Sequence, residues 1–136
     1  MQSYAADVLV IGGGMSAGWA AISAAKQGAS VILADKGFMG TSGVTAPAGP
    51  NHWWVPPDPA LRNAAVKRRL ETAFGLADAA WMERAIDITW RSLPELAPWY
   101  PFSGDGKGGV FRSGMRGSEY LRALRRYGTQ LGVRIL

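Results

Sequence analysis

DVLVIGGGMSAGWAAISAAKQGASVILAD, residues 7 to 35, is the stretch that decides the fold. A short apolar strand, Asp7–Ile11, runs into Gly12, Gly13 and Gly14, then Met15, Ser16 and Ala17. An alanine-rich run follows to Gln27. Gly28, a second apolar run over residues 30–34 and Asp35 complete it. Strand, glycine turn, helix, strand and acid occur in the order that a dinucleotide-binding βαβ unit requires.

Each residue type has a physical reason to stand where it does. A pyrophosphate is held by bare backbone N–H groups at a helix N-terminus, where the dipole also favours negative charge. Gly12 suits the tight turn out of the strand, and Gly14 the close approach of backbone to phosphate. Ala17 takes the third position of the fingerprint, where a small residue lets the helix lie close on the strands. Asp35, twenty-one residues after Gly14, can accept hydrogen bonds from both hydroxyls of a ribose. It would repel a 2′-phosphate, and Lys36 would offset part of that repulsion.

Length and composition narrow the class. A chain of 136 residues is one domain's worth, and a hydrophobic share of 48% supports a core. No apolar run approaches membrane-spanning length. The first strand starts so near Met1 that a signal peptide has no room, so a cytoplasmic location is expected. With 0 cysteines, the chain has no disulfides, thiolate-ligated metals or thiol nucleophiles. The net charge of +5 rests on Lys67-Arg68-Arg69 and on Arg122, Arg125 and Arg126, read as solvated helix faces. No nucleic-acid module is visible. His52, alone, makes neither a metal site nor a triad.

The rest of the chain reads as follows. The first helix is expected over Met15–Gln27 with Gly28 as its stop. Residues 37–59 form a loop of small residues and prolines, long enough to suggest function, and are expected to stay non-helical. They are read as the second wall of a flavin site, with a surface linker as the other reading; Trp53 and Trp54 are candidates to shield a ring. A helix over 58–74 is expected to begin at an Asp58 cap with Pro59 in its first turn and to bury Val66, Leu70 and Phe74. Another runs from Asp78, a second candidate cap, to Arg91 with Trp81, Ala85 and Ile88 on one side, where Trp81 and Trp90 serve the core or a domain contact. Residues 103–109 are a turn or loop. A last helix over 118–131, Gly132 and a strand over 133–136 repeat the earlier helix–glycine–strand order. Its strand is expected beside the first one, by a right-handed crossover.

These segments together resemble the FAD-binding flavoprotein family of fumarate reductase and succinate dehydrogenase, which includes L-aspartate oxidase and the flavin subunit of adenylylsulfate reductase. The opening unit, GTSGVTAPAGPNHW after it, the stretch ending LAPWYPF and RGSEYLRALRRYGTQLGVRIL carry the resemblance along the whole chain. It implies an α/β fold: a Rossmann-like FAD-binding βαβ unit with a parallel sheet and additional helices. The implied organisation is a partial FAD-binding domain, with the fingerprint over 1–36, the second flavin loop over 37–59, a helical segment and loop over 60–114, and a helix and return strand over 115–136.

The resemblance also implies roles. Gly12, Gly14, Met15 and Ser16 would hold the pyrophosphate, with Gly13 in the same turn and Ala17 behind it. Asp35 would meet the adenosine ribose with Lys36 beside it. Thr41, Ser42, Gly43, Ala48 and Gly49 would line the flavin side. Some members attach FAD through a histidine where this chain has Gly43, so FAD is expected to be held non-covalently. Members are several hundred residues long, so the chain reads as truncated and incomplete for catalysis alone. No catalytic or metal-binding residue is assigned. The expected partners are the rest of a flavoprotein or a complementary chain and an electron-transfer partner, with self-association if the chain is stable alone. The other readings are an NAD-binding Rossmann domain and a cofactor-free fragment that acts through association.

Overall fold

The computed structural model describes residues 3–104 and 114–136. The loop expected over 103–109 lies mostly outside the described residues. The chain forms two compact units, one of residues 3–50, 98–101 and 114–136, the other of residues 51–97 and 102–104.

The first unit is the α/β part. Strand β1 (Val8–Ile11), helix α1 (Met15–Lys26) and strand β2 (Val31–Ala34) follow one another as the opening sequence predicts. Val8 pairs with Val31 and Ile11 with Ala34, in parallel. Gly28, at φ +85°, closes α1, and its N–H reaches the carbonyl of Ala25. Only a residue free of Cβ enters that left-handed conformation without strain. After the loop come a single helical turn, α2 (Thr45–Ala48), and much later helix α5 (Gly117–Gln130) and strand β3 (Arg134–Ile135). Gly132, at φ +87°, ends α5 as Gly28 ends α1.

Two expectations need correction here. Residues 37–59 are not wholly non-helical, because Thr45–Ala48 make one turn. The last strand pairs with β2, not β1, and the sheet order is β1-β2-β3. Helix packing gives the reason. α5 lies on the same face as α1: a Cβ at Gly18 would come 2.9 Å from Leu124 Cδ1, and Trp19 Nε1 donates to Tyr120 Oη at 2.5 Å. Two successive right-handed crossovers on one face advance in one direction, so the third strand falls outside the second. The core gathers between these helices and β2: Ile22, Leu33, Tyr120, Leu121 and Leu124 are fully buried. β1 is left as an edge, with Leu9 63% and Ile11 73% exposed.

The second unit is built on helices α3 (Pro59–Glu71) and α4 (Ala79–Ser92), followed by a 3₁₀ turn, Leu93–Leu96. Both caps are those the sequence predicts. The Asp58 side chain accepts from the Leu61 N–H at 2.8 Å, and Asp78 from the Trp81 N–H at 2.9 Å. The buried stripes differ. Only Val66 is buried in α3 and only Ile86 in α4. Phe74 lies past the end of its helix at φ +50° and is 92% exposed, and Trp81 is 70% exposed. Periodicity marks one side of a helix without specifying what packs there. Trp54 stacks on Trp90 with centroids 4.1 Å apart, and Arg69 lies over Trp53 at 5.7 Å, so each candidate ring shield already has a partner within this unit.

Candidate functional site

The site grows from the end of β1. Gly12 continues the sheet, donating to the Ala34 carbonyl at 2.8 Å, and then turns at φ +107°. That backbone is open to glycine and hostile to side chains. Gly14 caps α1 in an extended conformation. No side chain caps this helix end and no acid stands in its first turn, so the first-turn amides of Met15, Ser16 and Ala17 keep the positive end of the dipole for a ligand. A Cβ on Gly12 or Gly14 would meet nothing within 4 Å, so space for a group lies beside both.

Gly13 has a different role. A Cβ there would overlap the Asp35 carboxylate and come 3.1 Å from Met39 Cα. Asp35 thus reaches into the glycine turn itself. Its backbone N–H donates to the Leu136 carbonyl at 3.1 Å, so the chain end beyond β3 fixes its position. Its Oδ2 is buried without a hydrogen-bond partner among the described residues. A buried carboxylate oxygen with no donor is costly, and a ligand hydroxyl would satisfy it. Lys36 is exposed beside it.

The second loop returns to the same place. Residues 38–42 form a tight turn in which the Thr41 and Ser42 N–H groups reach the Phe38 carbonyl at 2.9 and 3.0 Å. A Cβ on Gly43 would touch Gly14 Cα at 3.5 Å. The structure therefore brings Gly13, Gly14, Asp35 and Gly43 together. Ala48 and Gly49 line a cavity of about 480 Å³ with Met115, Gly117 and Ser118.

Residues 115–118 were missed in the sequence. The Met115 N–H donates to the Pro50 carbonyl at 3.0 Å, and Ser118 Oγ to the Ala46 carbonyl at 3.4 Å. A Cβ on Gly117 would overlap the carbonyls of Thr45 and Ala46, and one on Gly49 the carbonyl of Met115. The available signal was Arg116-Gly117-Ser118, a glycine just ahead of the amphipathic run expected over 118–131. Tyr100 supports the same place: its hydroxyl accepts from the Arg116 N–H at 2.9 Å. His52 belongs to the second unit, where burial pushes its imidazole down from the usual range.

These features fit FAD on their own terms: an uncapped helix end beside Cβ-free space for a diphosphate, and an orphaned carboxylate for a ribose. Comparison with known proteins agrees. Residues 7–134 match the family described as FAD binding domain, and the chain belongs to that family, whose cofactor is FAD. A curated relative, 3-oxosteroid 1-dehydrogenase of Comamonas testosteroni, is 30% identical over 132 residues, covering 79% of this chain and 22% of the relative.

Among solved structures, a variant of E. coli quinol fumarate reductase matches with a TM-score of 0.80 and 21% identity, covering 99% of this chain and 26% of that one. The 3-ketosteroid-Δ4-(5α)-dehydrogenase of Rhodococcus jostii RHA1 matches with 0.65 and 22%, covering 100% and 38%. These likenesses bear out the α/β fold, and together with the family match over residues 7–134 the resemblance to the fumarate reductase flavoproteins is borne out. The chain spans 22% of the curated relative's length. No helix among the described residues is long and apolar enough to cross a membrane.

Proposed function

We propose that the chain is the FAD-binding portion of a fumarate-reductase-like oxidoreductase, and that Gly12, Gly13, Gly14, Met15, Ser16 and Ala17 form the diphosphate cradle. Asp35 takes the adenosine ribose, with Lys36 at its rim, and Thr41, Ser42, Gly43, Ala48 and Gly49 lie along the flavin side. The observation that carries this reading is the buried, unpartnered Asp35 oxygen set against Gly13 at an uncapped helix end. When bound, the flavin supplies the redox chemistry, hydride transfer to or from a small organic substrate. The chain's own residues bind and orient it. No acid or base here is assigned to catalysis. The fuller protein's partners are a complementary chain or domain and an electron carrier.

The cofactor is held non-covalently, because Gly43 offers no side chain for attachment. The test is an absorbance spectrum of the purified or FAD-reconstituted chain, followed by acid precipitation. Flavin bands that move wholly to the supernatant are expected. Tight NADH binding without flavin would overturn the cofactor assignment, and yellow colour retained in the pellet would overturn non-covalent binding.

A further inference from the structure

Of the arginines of α5, Arg122 and Arg126 are exposed, as the solvated face suggested by their spacing requires, and Arg125 departs from it. The Arg125 guanidinium lies 4.5 Å over the Phe38 ring, with its Nε buried and unpartnered among the described residues. Arg122 lays its stem where Gly40 lacks a side chain: a Cβ there would come 2.9 Å from Arg122 Cγ. Arg122 then lines two cavities, that of about 480 Å³ beside Ala46–Gly49 and one of about 190 Å³ formed with Trp99, Pro101, Glu119 and Arg126. Trp99 is fixed by stacking on Tyr127 with centroids 4.5 Å apart.

The charges in the smaller cleft do not balance. Glu119 is engaged by Arg116 at 2.7 Å. Among the described residues, no carboxylate forms an ion pair with Arg122 or Arg126. Both guanidiniums are permanently charged and stand one helical turn apart, an arrangement that repels itself. Planar guanidinium donors match the oxygens of a phosphate or carboxylate.

We infer that the cleft between Arg122 and Arg126 binds a small oxyanion, a phosphate or carboxylate group carried by a small molecule, with Trp99 as its apolar wall. The inference does not depend on the FAD reading. It is tested by calorimetric titration of the purified chain with inorganic phosphate, phenyl phosphate and benzoate at constant ionic strength. Arg122→Met and Arg126→Met keep the stems and remove the charge; Arg84→Met, on a helix of the other unit, is the control.

Saturable binding is expected, tighter for phenyl phosphate than for inorganic phosphate. It should weaken about tenfold or more in either cleft variant and stay unchanged in the control. Equal affinity in the two cleft variants and the parent chain would place the anion elsewhere, at the glycine turn for instance, and overturn the inference. So would the absence of saturable binding for all three probes, or a phenyl group that adds no affinity.

Discussion

Asp35 carries a cost in the apo chain that a ligand would remove. Replacing it with alanine takes away the unpartnered buried oxygen together with the acceptor proposed for a ribose. Asp35→Ala should therefore weaken FAD binding by about 1–3 kcal/mol while leaving the apo chain as stable as before or more so. Fluorescence titration and urea unfolding on the same preparations check the two halves, and an unchanged affinity would contradict the role. Gly13 is the steric counterpart. Gly13→Ala places a Cβ onto the Asp35 carboxylate and near Met39 Cα, an overpacking expected to cost about 1–3 kcal/mol in urea unfolding. The turn at Gly12, the start of α1 after Gly14 and the Asp58 and Asp78 caps were legible in the sequence because their chemistry is local. Gly117 was not, because what it must avoid, the carbonyls of Thr45 and Ala46, lies some seventy positions away in the chain.

Elements meet through a few specific contacts. The Trp19–Tyr120 hydrogen bond joins α1 to α5, and Tyr120 is fully buried, which pushes its phenol up from the usual range. Tyr120→Phe keeps the ring and orphans the indole N–H, for an expected loss of about 1 kcal/mol in denaturant unfolding.

The starts of β1 and β2 are tied by Asp7, whose carboxylate accepts from the Ser30 hydroxyl at 2.6 Å and from its N–H at 2.8 Å. Those bonds hold the Asp7 carboxyl below the usual 3.8. A carboxyl depressed in the folded state contributes stability above its unfolded value, and that contribution is lost as pH falls through the folded value. Asp7→Asn should therefore flatten the acid side of a stability–pH profile below about pH 4; a parallel profile would contradict it. At this scale the opening βαβ was readable from pattern alone. The position of β3 was not, because it depends on which face α5 covers, and only the packing of Leu124 against Gly18 decides that.

Across the whole molecule, the first unit holds the glycine turn, the acid and residues 37–50 of the second loop around one small sheet, while the open edge of β1 leaves Leu9 and Ile11 in solvent. Of the stripes expected in α3 and α4, Val66 is buried, whereas Phe74 and Trp81 have helical spacing but no burial.

Amide hydrogen exchange of the chain with and without saturating FAD tests the cofactor site most directly. Slowed exchange confined to Gly13–Ala17, Asp35 and Thr41–Gly49 is the expected result. Bound FAD that leaves the amides of Gly13–Ala17 exchanging at their free rate would contradict it.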